Sequence, residues 1–84
     1  MQYVPVTGTK QITGTRGVLK GFSINCTVTG VLKIRDGAAG TTVVTLNMAN
    51  GTDKIESFGN GIPFNNRINV EVVSGTFDGT VWVE

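Results

Sequence analysis

Apolar and polar residues alternate along most of this chain, and the alternation has a period of two. In the run Val18 to Val28, Phe22, Ile24, Cys26 and Val28 take every second place, with Gly21, Ser23, Asn25 and Thr27 between them. Successive side chains of a strand point to opposite faces, so this run predicts a strand with one face buried. Leu32 and Ile34 repeat the pattern against Lys33 and Arg35. Val44, Leu46 and Met48 do so against Val43, Thr45 and Asn47, and Ile68, Val70 and Val72 against Arg67, Asn69 and Glu71. Shorter strands are predicted near Lys10 to Ile12, Ile55 to Phe58 and Thr80 to Glu84. An N-terminal arm, Tyr3 to Val6, carries Pro5, which donates no ladder hydrogen bond and suits an edge.

Glycine-containing pairs separate these runs: Gly8, Gly14, Thr29-Gly30, Asn50-Gly51, Gly59-Asn60-Gly61, Ser74-Gly75 and Asp78-Gly79. Each reads as a turn or a break. Asp36-Gly37-Ala38-Ala39-Gly40 is the clearest turn and predicts a hairpin between Val31–Arg35 and Thr41–Met48. Helix is poorly supported, because the glycine-free stretches are rich in Thr, Val, Ile and Asn. The expected architecture is all-β: a small antiparallel β-sandwich, jelly-roll-like or immunoglobulin-like, of about seven to eight strands. Residues 1–16 form an arm and a weak strand, and residues 17–84 the sandwich domain. The arm, set apart by Gly8 and Gly14, is expected to be less fixed and to order on a partner.

Composition narrows the chemistry. The chain has 84 residues, enough for one domain, with twelve Gly, twelve Thr, one Cys and no His. Cys26 therefore forms no internal disulfide and reads as a small buried hydrophobe. Without His, acid–base work would fall to carboxylates, and these sit in turns or on outward strand positions. Asp36 and Asp78, both in turns, are the pair that would have to converge, and a sandwich this small leaves little room for their cleft. No enzyme is expected. Asp36-Gly37 and Asp53 to Glu56 lack the spacing of a calcium loop, so no metal or cofactor is expected.

Seven Lys and Arg face six Asp and Glu, with no block of either sign. Only Lys33 and Arg35, two apart on one strand face, seed a basic surface, so nucleic acid is not an expected partner. No run approaches the ~20 apolar residues that span a bilayer. The first residues lack the pattern of a leader, and Met1 reads as the start of a complete product made in the cytoplasm. A domain this small, with neither disulfide nor metal, is marginal alone, which predicts self-association or docking on a larger assembly.

Trp82 stands apart. If Val81 and Val83 face the core, Trp82 points outward with Thr80 and Glu84, and an outward Trp marks a contact surface. If the strand is flipped, Trp82 lies in the core. The candidate contact residues are Tyr3, Val4, Pro5, Val6, Lys33, Arg35 and Trp82.

The chain also resembles the small all-β virion accessory proteins of tailed bacteriophages, of the capsid decoration, cement or head-fibre type. The resemblance lies in Gly17-Val18-Leu19, the strand Phe22 to Val28, and Ile34-Arg35-Asp36-Gly37. It continues in Gly61 to Phe64, Ile68 to Val72 and Gly79 to Glu84, so it spans residues 17 to 84 and leaves out the first sixteen. It implies a structural role on the virion capsid surface: binding and stabilising the shell of the major capsid protein, commonly as a homotrimer. No catalytic residue comes with it. The alternative is a head-fibre or tail accessory protein with receptor- or glycan-binding loops, for which Phe58, Phe64 and Phe77 lie beside turns.

Overall fold

A computed structural model describes residues 1–37 and 40–84, so Ala38 and Ala39 of the predicted Asp36 to Gly40 turn lie outside the described residues. Among the described residues there is no helix. Six strands of the described residues form one antiparallel sheet: β1 (Gln2–Val6), β2 (Lys10–Gln11), β3 (Gly17–Asp36), β4 (Thr41–Met48), β5 (Asp53–Phe64) and β6 (Ile68–Val83). β6 pairs with β3 along nearly its whole length. On the other side of β3, β5 pairs with Gly17–Asn25 and β4 with Gly30–Asp36. β1 and β2 flank β6. The predicted hairpin between Val31–Arg35 and Thr41–Met48 is present in register, with Leu32 opposite Leu46 and Ile34 opposite Val44.

The strand count differs from the expected seven or eight because glycines read as breaks lie inside continuous strands. β3 runs through Thr29-Gly30, and β6 runs through Ser74-Gly75 and Asp78-Gly79. At Thr29-Gly30 and Ser74-Gly75 the strands bend. A straight 20-residue strand would extend about 66 Å, yet the longest dimension of the molecule is 31 Å. The register between β3 and β6 shifts at Cys26/Val28 and twice more before Leu32, the mark of bulges that sharpen a bend. Gly30 and Gly75 meet there backbone to backbone. A side chain on Gly30 would strike the Ser74 carbonyl, and Gly75 holds φ of 79°, where other residues are strained.

Folding β3 over brings its two ends together. Phe64 pairs with Gly17 at one end, while the next two residues, Asn65 and Asn66, donate backbone N–H bonds to Asp36 at the other. One core fills the space inside. It takes Leu19, Phe22, Ile24 and Cys26 from the first half of β3, Leu32 and Ile34 from the second, Leu46 and Met48 from β4, and Ile68, Val70, Phe77, Val81 and Val83 from β6. Nearly all are the residues whose alternation predicted burial. Val28 is the exception, 53% exposed because it sits at the bend, where the face it would occupy turns outward.

The N-terminal segment belongs to this sheet and is not a separate arm. Gln2 to Val6 pair residue by residue with Val83 to Gly79. Val4 and Val6 are buried in the core, so neither side chain is available as a contact residue. Pro5 is accommodated because β1 is at the sheet margin, as its missing donor requires.

Candidate functional site

β6 delivers Val81 and Val83 to the core and turns Trp82 to the opposite face, the outward alternative of the two that the sequence leaves open. Cross-strand register sets Tyr3 of β1 on one side of Trp82 and Gly21 of β3 on the other. The Tyr3 and Trp82 ring centroids lie 6.0 Å apart at an interplanar angle of 32°, within the range of attractive aromatic pairs. Tyr3 is 66% exposed. Trp82 is half-buried, because its indole lies over Gly21. A Cβ on Gly21 would come within 2.6 Å of the indole atoms. The missing side chain makes the slot in which the ring rests.

The next row along the same face reads Pro5, Thr80, Ser23 and Ile55 in cross-strand order. Pro5 is exposed and Ile55 is 68% exposed, so apolar groups stand at both margins of this face with small polar residues between them. The row beyond brings Asp78 and Asp53 to either side of Asn25. Such a face, aromatic at one corner, apolar at its margins and polar between them, can make contact with a protein surface.

Lys33 and Arg35 share the outer face of the other half, as the alternation predicts, but they do not form a basic patch. Glu71 stands directly opposite Lys33 in register, and its carboxylate accepts from Arg35 Nε at 3.0 Å. A second guanidinium N–H of Arg35 reaches the Gly40 carbonyl at 3.1 Å. Glu71 thus matches one of the two positive charges within the chain.

Asp36 and Asp78 do not converge. Asp78 lies opposite Asn25 near the bend, whereas Asp36 closes the other end of β3. Asp36 accepts backbone N–H bonds from Asn65 at 3.0 Å, Asn66 at 2.8 Å and Arg67 at 3.4 Å. The bonds from Asn65 and Asn66, outweighing partial desolvation, hold its carboxyl below the usual carboxylate range. A shallow cleft of about 690 Å³ opens beside it, with Arg16 and Arg67 on its walls and Asp36 its sole carboxylate. Asp36 is therefore a clasp that joins the β3 end to the β5–β6 turn. Among the described residues, no three His, Cys, Asp or Glu side chains come close enough to hold a metal ion.

The loop aromatics are not on loops. Phe64 and Phe77 are 2% and 1% exposed, and Phe58 packs on the core with its ring 5.9 Å from that of Phe22. Sequence reasoning found Trp82 and Tyr3 but missed the features that make them a pair. The signal was available in Gly21, a glycine in the middle of a strong strand, which marks a close approach.

No family model matches the chain, and no curated protein or solved structure matches it.

Proposed function

We propose that this chain is a virion structural protein of a tailed bacteriophage, a decoration or cement protein that binds and stabilises the shell of the major capsid protein. On this reading the bent sheet is a small β-sandwich, its two halves being the layers. The outer face around Tyr3 and Trp82 is the surface that meets the shell. The observation that carries the proposal is the Tyr3–Trp82 pair itself, an aromatic group held outside the core in a slot made by Gly21. Trp and Tyr are among the residue types enriched at the hot spots of protein contacts. The sequence resemblance over residues 17 to 84 supplies the class of partner. The head-fibre or tail alternative with glycan-binding loops draws on Phe58, Phe64 and Phe77, and all three pack on or within the core. The site of action is then the capsid surface, after synthesis in the host cytoplasm.

Co-sedimentation with shells assembled from the major capsid protein encoded alongside this chain tests the reading. The wild-type chain is expected to pellet with shells. Trp82→Ala is expected to keep its β-sheet spectrum and bind roughly 30-fold more weakly, the loss typical of a hot-spot residue. Absence of binding by the wild-type chain, or equal binding by the variant, overturns it.

A further inference from the structure

An open sheet has edges, and most edges of this one carry residues that discourage pairing. β1 contains Pro5, whose carbonyl is also covered by the Lys10 ammonium at 3.1 Å. β2 is only two residues long. β5 carries Lys54 and Glu56, paired with each other at 3.4 Å, then a bulge around Gly59-Asn60-Gly61, then Pro63. Charges, proline, bulges and short length are the devices by which edge strands avoid adding another chain. β4 differs. Its eight residues, Thr41 to Met48, include no charge, no proline and no glycine, and β-branched residues dominate. Among the described residues β4 pairs with β3 alone, which leaves its other side open. One bulge, at Val43, leaves Val44 to Met48 as the regular part of that edge.

The surface beside this edge is equally uncharged. Cys26 to Val31, Asn47 to Thr52 and Val73 to Phe77 meet at the bend without one Asp, Glu, Lys or Arg among them. Val28 and Val73 are 53% and 54% exposed there. Between Val31 and Met48 lies a mainly apolar cleft of about 480 Å³.

We infer that β4 is a self-association edge, pairing antiparallel with β4 of a second copy across a two-fold axis, with the uncharged bend surface completing the contact. Identical strands joined edge to edge by a two-fold run antiparallel, and each residue near the axis meets itself or a close neighbour in its copy. A charge there would face its own like, which destabilises a cross-strand pair. An edge and flank free of charge meet that condition, and they offer nothing to select a charged foreign strand. A ladder over Val44 to Met48 alone falls short of the ~1,200 Å² of a stable interface, so the contact has to take in the flank with Val28, Val31 and Val73 as well. The homotrimer implied by the phage resemblance would need β4 to join a different edge of the next copy, and β1, β2 and β5 carry the blocking residues. This inference rests on the sheet edge and not on the proposed capsid role.

Light scattering coupled to size exclusion, with the full chain at about 100 µM, tests it. The wild-type chain is expected at twice its 8.9 kDa mass. Thr45→Glu keeps the subunit folded, because position 45 lies opposite Lys33, yet it brings like charges together at the axis. It is expected to weaken the dimer roughly ten-fold or more and to shift the mass to one chain. Asn60→Glu on β5 leaves the mass unchanged. Should Thr45→Glu fail to fold, Asn47→Lys, opposite the uncharged Val31, is expected to dissociate the dimer in its place. A wild-type monomer or trimer, or a dimer that survives charge at an edge position in a folded chain, overturns the inference.

Discussion

Gly21 and Trp82 are cross-strand neighbours, and the indole of Trp82 occupies the space that a side chain on Gly21 would fill. One residue is defined by the absence that the other exploits. Gly21→Ala would also place its Cβ 2.5 Å from the Glu56 carbonyl oxygen, so the strain falls on backbone as well as on the ring. The expected cost is about 1–3 kcal/mol, as for other overpacked sites. Thermal melts measure it, and a red-shifted Trp82 fluorescence spectrum would report the ring's displacement into water. An unchanged spectrum and melt would place the indole elsewhere.

Val6 is fully buried although it lies near the chain terminus. Val6→Ala is expected to lower stability by about 2 kcal/mol, and Tyr3→Ala by about 1 kcal/mol through loss of the aromatic pair. Native-state hydrogen exchange should show bonded amides of β1 protected to nearly the same degree as those of β6. Rapid exchange throughout Gln2–Val6 would contradict the pairing.

Asp36 gives the fold an acid-sensitive clasp. Folding lowers its pKa, so in the acid range the unfolded chain binds the proton more readily than the folded one. Its contribution is fully present above the unfolded carboxylate's range and is lost as pH falls through the folded value. Asp36→Asn is expected to lower stability at neutral pH, because an amide accepts fewer of the three backbone N–H bonds. It should also flatten the acid limb of the stability curve. Parallel acid-side slopes in the two proteins would remove the clasp from the account.

Two glycines separate backbone strain from open space. Gly75 has positive φ and would meet the Val28 carbonyl oxygen if substituted, so Gly75→Ala is expected to cost more than about 1 kcal/mol. Gly8 has open space around it and lies outside the positive-φ set, so Gly8→Ala is expected to be neutral or stabilising by up to about 1 kcal/mol. Chemical denaturation of both variants decides, and equal effects would contradict the bend.

The contrast between these glycines also explains what was legible in the sequence. Alternation identified the buried face of β3, β4 and β6, because a period of two is a direct record of which side chains leave water. Glycine has no such record. A glycine in a turn and a glycine at a bulge look alike, so Gly30 and Gly75 read as breaks where the chain bends within a strand. The bend then hid the meeting of Gly17 with Phe64 and of Asp36 with Asn65, since contacts between distant segments leave no local pattern. Pro5 and the flanking glycines made β1 look loose, although Val4 and Val6 already carried the alternation of a core strand. Trp82 was legible only as one of two faces. Its partner Tyr3 stands at the other end of the chain, and register alone brings them together.

Cryo-electron microscopy of the virion whose genome encodes this chain would show where the protein sits and which face it turns to the shell. Copies are expected on the outer surface of the capsid, each with the Tyr3–Trp82 face against the major capsid protein. Copies confined to the tail, copies whose Tyr3 and Trp82 face solvent, or a virion that lacks the protein would contradict the proposed capsid role.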